Sequence, residues 1–228
     1  MKICGFEKFS MVDWEGKVVC TVFASGCNFR CPFCHNASLA LSSAEGVPEK
    51  EVFDYLEKRK GLVDGVCVSG GEPTLSPDLK DFISRIKALG YAVKLDTNGT
   101  NPILLKDLVG SGLVDYVAMD VKNSPSKYPL TTGVQNPHIN QVLESARFLK
   151  ECGVNHEFRT TLIKDFHTEK DMEYIAKIVE GAQRYYLQKY VDSDNCIQHG
   201  FCAVPKDEAT KWLALFKGVV EKASLRGY

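Results

Sequence analysis

Three cysteines stand close together near the start of the chain, in the stretch SGCNFRCPFCHN. Cys27, Cys31 and Cys34 are separated by three residues and then by two, and no fourth cysteine lies beside them. Iron–sulfur clusters are held by cysteine thiolates, and a [4Fe–4S] cube has four iron corners. Three cysteines would hold such a cube and leave one iron open to a ligand from outside the chain, much as a catalytic zinc keeps one position vacant.

A zinc site that borrows a distant ligand is the alternative interpretation of the same cysteines. Structural zinc is normally bound by four protein ligands, which usually come from two pairs of the CxxC kind. Cys196 and Cys202, in a later loop, are the sort of distant thiols that such a site would need. Two thiols cannot complete a second four-iron site, so a redox pair or a contact with a partner also stays open for them.

Composition and charge restrict the class of protein. The chain has 228 residues, of which 44% are hydrophobic and 25% charged, and its net charge is −1. These values are ordinary for a globular protein and give no electrostatic reason to expect a nucleic acid or a membrane surface as partner. No signal-peptide pattern and no apolar run of membrane-spanning length occur, so we expect a cytoplasmic protein. In a reducing compartment, the nine cysteines favour metal binding or catalysis over disulfides.

Strand-like and helix-like segments alternate along the chain. The pattern predicts strands at 17–25, 64–70, 91–97, 115–122, 155–163 and 184–190. It predicts helices at 49–59, 78–89, 102–110, 138–152, 169–181 and 207–225. This alternation is typical of a parallel sheet with helices outside it.

Six strand–helix units are too few for the eight-fold barrel, which typically needs about 250 residues. We therefore expect an α/β fold, a partial (β/α)6 TIM-like barrel with parallel strands and outer helices. One domain is expected over residues 1–228, with a core at about 17–190 and a C-terminal helical segment at about 207–225.

Polar residues follow or end the first four predicted strands, and Arg159 and Gln188 lie on the fifth and the sixth. Ligands of α/β folds bind at the carboxyl ends of the strands, so these residues are candidates for one site. Besides Cys27 they are Ser69, Gly70, Gly71, Glu72, Asp96, Thr97, Asn98, Asp120, Lys122, Arg159 and Gln188.

Each of these candidates also has a purely structural explanation. The stretch SGGEP could be a strand-to-helix turn in which Pro73 opens the next segment, although its glycines would also let a ligand approach the backbone. Asn98 followed by glycine is a good turn signal. Asp120 and Lys122 share one face of a strand, and their charges must be paired with each other, with Arg159 or with a ligand.

Together, these motifs resemble those of a known superfamily. The CxxxCxxC spacing with Phe33 before the third cysteine, followed by GGEP on a six-fold strand–helix pattern, resembles the radical S-adenosylmethionine (SAM) superfamily. Within it, the stretches KFSMVDWEGKVVCTVFASGCNFRCPFCHN, DVKNSPSKYPLTTG and YYLQKY are similar to the activating enzymes of glycyl-radical enzymes. The similarity is greatest to the activating proteins of anaerobic ribonucleoside-triphosphate reductases, and the pyruvate formate-lyase activating enzymes are near relatives.

The resemblance implies a reaction. SAM would fill the fourth position of the [4Fe–4S] cluster through its amino and carboxylate groups. One electron from a flavodoxin- or ferredoxin-type donor would break the S–C5′ bond and give methionine and a 5′-deoxyadenosyl radical. That radical would remove a hydrogen from a backbone glycine of a partner, expected to be the anaerobic reductase. The alternatives are another partner, such as pyruvate formate-lyase, or a small-molecule substrate, as in the 7-carboxy-7-deazaguanine synthases.

The resemblance also implies roles for individual residues. Cys27, Cys31 and Cys34 would ligate the cluster, and the backbone around Phe33 would contact adenine. The methionine amino group would be held by Ser69, Gly70, Gly71 and Glu72. The methionine carboxylate and the ribose would be held by Asp96, Thr97, Asp120 and Lys122, with a monovalent cation near Asp96 and Asp120. Gln188 stands where the pyruvate formate-lyase relatives have a histidine, and the connection 122–138 is expected to line the partner's glycine loop.

Overall fold

The computed structural model describes residues 1–228 and divides into two compact units. The first unit comprises Met1–Asn28, Ser38–Thr97 and Ile103–Val117. The second unit comprises Phe29–Ala37, Asn98–Pro102 and Ala118–Tyr228. Both units are built from strands that alternate with helices, as the α/β prediction requires.

Eight strands and eight α-helices make up the regular structure. The strands are β1 Ile3–Ser10, β2 Val19–Ala24, β3 Gly65–Gly70, β4 Ala92–Thr97, β5 Tyr116–Asp120, β6 Asn155–Leu162, β7 Arg184–Lys189 and β8 Lys222–Arg226. The helices are α1 Ala37–Ala40, α2 Glu49–Lys58, α3 Leu79–Ala88, α4 Pro102–Gly110, α5 Tyr128–Thr132, α6 Ile139–Glu151, α7 Glu169–Val179 and α8 Lys206–Ala214. None of these helices combines the length and apolar character that crossing a bilayer requires.

In the first unit the strand order is β1-β2-β3-β4, and the first two residues of β5 follow. Strands β2, β3 and β4 are parallel, whereas β1 runs antiparallel to β2. Four of the six residues of β3 and five of the six of β2 are buried, as expected for parallel strands covered on both faces. The register places Thr21, Cys67 and Lys94 side by side across the three parallel strands.

In the second unit the remainder of β5 is followed by β6, β7 and β8. Strands β6, β7 and β8 are parallel, and Thr161, Gln188 and Arg226 are register neighbours near their carboxyl ends. Helix α6 buries residues at helical spacing, including Val142, Ala146 and Leu149. This amphipathic pattern is what made the helix predictable from the sequence.

The C-terminal segment differs from the prediction. The helix expected over 207–225 ends at Ala214, and the strand β8 pairs with β7 instead. The chain adopts the left-handed conformation at Gly218, with φ of 78°, which a helix cannot accommodate. The N-terminal strand β1 was also absent from the prediction, although all six predicted strands are confirmed.

Helix α7 begins at a capping box with a buried carboxylate. The Asp171 Oδ2 atom accepts hydrogen bonds from the Thr168 backbone amide at 2.9 Å and hydroxyl at 2.6 Å. Ser124 Oγ donates to Asp171 Oδ1 at 2.7 Å, and Lys127 Nζ lies 2.6 Å from Oδ2. Burial alone would raise the pKa of Asp171, but these donors lower it to about 2.

We expect Asp171→Asn to lower the free energy of unfolding at neutral pH by about 2 kcal/mol, because a charged acceptor of several hydrogen bonds is lost. Since the folded pKa lies below the ordinary 3.8, the wild-type carboxylate stabilises the fold above about pH 4, and this contribution disappears as the pH falls towards 2. Urea unfolding between pH 7 and pH 3 measures both effects. The variant should lose part of the wild-type pH dependence.

Asp54→Asn is the matched control, because Asp54 pairs with Lys50 on the surface of α2. Exposed pairs of this kind contribute at most about 1 kcal/mol. Equal destabilisation by the two variants, or an unchanged pH dependence in Asp171→Asn, would contradict the prediction.

Candidate functional site

The turn that carries Cys27 is packed against the glycines that follow β3. The Gly71 amide donates to Ala24 O at 3.0 Å, and the Glu72 amide donates to Gly26 O at 2.7 Å. A Cβ atom on Gly71 would lie only 2.0 Å from Gly26 O and 3.2 Å from the Cys27 amide nitrogen. Glycine is therefore required at position 71 for the backbones to approach, and this approach fixes the position of Cys27.

Glu72 is buried and organises the loop around it. Its Oε1 atom accepts hydrogen bonds from the Thr74 amide at 3.1 Å, the Thr74 hydroxyl at 2.5 Å and the Thr97 hydroxyl at 2.8 Å. The carboxylate also caps the 3₁₀ helix Pro73–Leu75. The structural role considered for SGGEP is thus present, and the contact of Glu72 with an amino group stays a prediction.

Asp96 lies at the carboxyl end of β4 between a hydroxyl donor and an ammonium group. Ser69 Oγ donates to Asp96 Oδ2 at 3.1 Å, and Lys94 Nζ lies 3.1 Å from Asp96 Oδ1. Lys94 was not among the residues predicted from the sequence. A signal for it was available, because residues two apart on a strand share a face and a lysine in an otherwise apolar strand needs a partner.

The loop with Cys31 and Cys34 belongs to the second unit and is supported by the segment around α5. The Cys34 amide donates to Cys31 O at 2.9 Å, and the Arg30 amide donates to Thr132 O at 2.8 Å. A Cβ atom on Gly133 would lie 2.3 Å from Arg30 O, so this packing also depends on a glycine. Part of the connection expected to line a partner's loop therefore supports the cysteines.

A second segment, residues 195–198, forms what we call the loop clamp. The Ile197 amide donates to Cys34 O at 3.1 Å, and the Gln198 amide donates to Pro32 O at 2.7 Å. Cys196 is buried, and its Sγ lies 3.8 Å from Phe33 O. Cys202 is exposed. Cys196 therefore belongs to the support of the cysteine loop.

Asp120 forms a half-buried ion-pair network with two cations. Its Oδ1 accepts from Arg159 Nε at 2.9 Å, and its Oδ2 accepts from Lys122 Nζ at 2.8 Å. Burial would raise the pKa of Asp120, but the positive charges of Arg159 and Lys122 hold it well below its usual range. Two cations on one carboxylate leave the group with a net positive charge, which suits an anionic ligand.

Lys122 links this network to the cysteine loop. Burial would lower the pKa of Lys122, but the negative charge of Asp120 raises it above its usual range, and thiolates at Cys31 and Cys34 would act in the same direction. The ammonium group is therefore charged, and it can balance thiolates at Cys31 and Cys34. Burial and the charge of Lys122 lower the pKa of the neighbouring His35.

The remaining predicted residues have local roles or positions. The Asn98 side-chain oxygen accepts from the Thr100 amide at 3.0 Å and from its hydroxyl at 2.7 Å, as in the turn that the sequence suggested. Phe33 is buried, with its ring 5.9 Å from that of Phe166. Gln188 is half-buried near the end of β7.

The donor chemistry of these residues fits a thiolate-bound cluster. All nine cysteines are free. Cys27 belongs to the first unit and Cys31 and Cys34 to the second, and neither unit by itself brings three possible ligands together. Each cysteine lies in a turn whose backbone is fixed by hydrogen bonds, and a lysine cation accompanies Cys31 and Cys34.

We expect Gly71→Ala to lower the free energy of unfolding by about 2 kcal/mol, because the methyl group displaces the Gly26 backbone. The same displacement moves Cys27, so iron bound after anaerobic reconstitution should fall. Urea unfolding and iron analysis measure these effects. In the matched control Gly110→Ala, the added Cβ meets nothing within 4 Å and replaces a glycine in a helix, so stability should be kept or raised. Equal behaviour of the two variants would contradict this account of the turn.

Comparison with known proteins agrees with the site chemistry. Residues 21–179 match the family model of the radical SAM superfamily. A candidate glycyl-radical enzyme activating enzyme of Methanocaldococcus jannaschii, MJ1227, is 35% identical over 84% of this chain and 81% of its own length. The pyruvate formate-lyase-activating enzyme of Streptococcus mutans is 29% identical over 81% of this chain and 75% of its own length.

A solved structure shows the same fold. A domain of the pyruvate-formate lyase-activating enzyme from Bacteroides vulgatus aligns with a TM-score of 0.58 and 21% identity, over 72% of this chain and 99% of that domain. The predicted fold class is confirmed, since radical SAM enzymes are α/β proteins of the partial TIM-barrel kind. The chain therefore belongs to the radical SAM superfamily and is an enzyme of the kind that activates glycyl-radical enzymes.

Proposed function

We propose that this enzyme generates a glycyl radical on an anaerobic ribonucleoside-triphosphate reductase. The observation that carries the proposal is the position of Lys122, which shares the Asp120–Arg159 network and lies within electrostatic reach of Cys31 and Cys34. This arrangement suits a carboxylate-bearing ligand next to a thiolate-bound cluster. The relatives' names support a glycyl-radical enzyme as partner, and the stretches DVKNSPSKYPLTTG and YYLQKY favour the reductase.

When bound, the [4Fe–4S] cluster and SAM supply the one-electron cleavage of the S–C5′ bond. The protein's part is to bind and orient. Cys27, Cys31 and Cys34 hold the cluster in turns fixed by backbone hydrogen bonds. Lys122 and Arg159 attract the methionine carboxylate through their excess positive charge, and the loop clamp keeps the carbonyl groups of residues 32–34 in place.

In the first unit we assign the methionine amino group to the SGGE loop, residues 69–72. Glu72 is an acceptor whose carboxylate is already oriented by Thr74 and Thr97, so little conformational freedom is lost when an ammonium binds. Asp96, oriented by Ser69 and Lys94, is the acceptor proposed for ribose hydroxyl groups. The adenine contact of the Phe33 backbone and the contact of Gln188 belong to the same proposal.

The monovalent cation expected near Asp96 and Asp120 is kept as a hypothesis. Both carboxylates already contact ammonium groups of the protein, Lys94 in one unit and Lys122 in the other. A cation there would have to share the carboxylates with these lysines. Replacing sodium and potassium in the assay by a bulky organic cation tests whether one is needed.

The cellular setting follows from the same proposal. A flavodoxin- or ferredoxin-type protein is the proposed electron donor, and the nine free cysteines support a reducing, cytoplasmic location. We propose that residues 1–228 act as a single radical SAM domain. Pyruvate formate-lyase is the second candidate partner, because the Streptococcus mutans relative is named for it.

The test is an anaerobic activation assay with both candidate partners. Reconstituted and reduced enzyme with SAM should yield 5′-deoxyadenosine, and electron paramagnetic resonance should detect a glycyl radical on the anaerobic reductase. A radical on pyruvate formate-lyase alone would replace the proposed partner. SAM cleavage with neither partner radical would direct attention to small-molecule substrates.

We expect Cys31→Ala to lose cluster binding and all SAM cleavage while the fold is kept, because the change removes a proposed ligand and only one buried sulfur atom. Iron and sulfide analysis, 5′-deoxyadenosine yield and circular dichroism measure the three properties. Cys152→Ala, at the end of α6, is the matched control and should keep full cluster content. Activity retained in Cys31→Ala would overturn the cluster assignment.

A further inference from the structure

Lys94 is a buried cation that neither the fold nor the reaction has so far explained. It lies in the middle of β4 with 3% of its side chain exposed. Lysine is almost never buried to this extent unless its charge is paired, because removing an ammonium group from water costs several kcal/mol. An apolar residue at this position would stabilise the strand as well as the buried ion pair does, or better. The position of its ammonium group therefore calls for a functional explanation.

The Lys94 ammonium group forms an ion pair with the carboxylate of Asp96. Nζ lies 3.1 Å from Asp96 Oδ1, and the second oxygen, Oδ2, accepts from Ser69 Oγ at 3.1 Å. The Asp96 side chain is 15% exposed, so it is the more accessible member of the pair. A hydrogen bond on one oxygen and an ion pair on the other restrain the orientation of the carboxylate.

The same ammonium group also contacts the connection between β1 and β2. Lys94 Nζ also donates to the backbone oxygen of Asp13. Asp13 is fixed in turn, because its Oδ2 accepts from Thr21 Oγ1 at 2.5 Å, and Thr21 belongs to the same register row as Lys94. The ammonium group thus has an anchor other than Asp96, so it can restrain the position of the Asp96 carboxylate.

We propose that Lys94 is a positioning residue for SAM, which acts by holding the Asp96 carboxylate oriented and charge-balanced. A pre-oriented acceptor binds ribose hydroxyl groups with a smaller loss of conformational freedom than a mobile one. The inference rests on the proposed function, in which Asp96 contacts SAM. It adds a residue that makes no contact with SAM and yet sets the affinity for it.

A double-mutant cycle on the reconstituted full-length protein tests this role. The variants are Lys94→Met, Asp96→Asn and the combination of both. The readouts are the dissociation constant for SAM, from anaerobic titration calorimetry, and the free energy of unfolding in urea. Lys94→Met should weaken SAM binding about tenfold in the wild-type background, because the Asp96 carboxylate loses the ammonium group that restrains it. It should change SAM affinity no further in the Asp96→Asn background.

Lys87→Met is the matched control. Lys87 also forms an ion pair in the first unit, but its partner is Asp115, with Nζ 2.8 Å from Asp115 Oδ2. We expect this variant to leave the dissociation constant for SAM unchanged. If Lys94→Met fails to fold, Lys94→Gln replaces it in the cycle, because the amide removes the charge but keeps a polar group at the buried position.

Two results would overturn the inference. If Lys94→Met lowers stability but leaves the SAM affinity unchanged, Lys94 has only the structural role of holding the Asp13 backbone. An equal loss of affinity with and without the Asp96 carboxylate would mean that Lys94 does not act through Asp96. A wild-type protein with a full cluster that binds no SAM would instead overturn the proposed function, and this inference with it.

Discussion

The pairing of buried charges is the constraint on which the rest of this structure depends. A strand in a sheet covered on both faces has no water for its side chains, so a charge there must meet an opposite charge. The first unit meets this requirement with Lys94 and Asp96, and the second with Asp120 between Lys122 and Arg159. In each unit the pairing fixes the orientation of groups at the ends of the strands, where α/β proteins bind their ligands.

The two units pair their charges differently. Lys94 and Asp96 form a balanced pair, whose carboxylate is directed and partly exposed. Asp120 is outnumbered by its two cations, so its group has a net positive charge. The acceptor in the first unit suits hydroxyl groups of a ligand, and the cationic group in the second unit suits a carboxylate.

The sequence predicted the strands well because buried parallel strands have a simple pattern. The six runs of apolar and β-branched residues became β2 to β7, each within two residues of its predicted ends. The two strands that were not predicted, β1 and β8, lack such a pattern. Strand β1 contains Lys8 and Glu7, and β8 is a half-buried run that begins with Lys222, so neither gives an uninterrupted apolar signal. The left-handed turn at Gly218 lies between α8 and β8, within the segment that was predicted to be helical to residue 225.

The site was only partly predictable for a different reason. Thiols, acids and glycines at strand ends are visible as residue types, so Cys27, Glu72 and Asp120 could be selected from the sequence. The loop clamp holds the cysteine loop through backbone amides, which every residue except proline possesses. No residue type therefore marks residues 195–198 as neighbours of residues 32–34. Lys94 was missed although its spacing to Asp96 is the same as that of Lys122 to Asp120.

The loop clamp has a consequence for the order of events during synthesis. Cys196 and Phe33 are 163 positions apart in the chain, and the hydrogen bonds of the clamp to residues 32–34 span a similar separation. The cysteine loop leaves the ribosome long before its backbone partners in the loop clamp are synthesised. A nascent chain thus displays the thiols of Cys31 and Cys34 before the loop is fixed. Iron delivered after release of the chain would meet a finished loop, whereas iron delivered earlier would meet a mobile one.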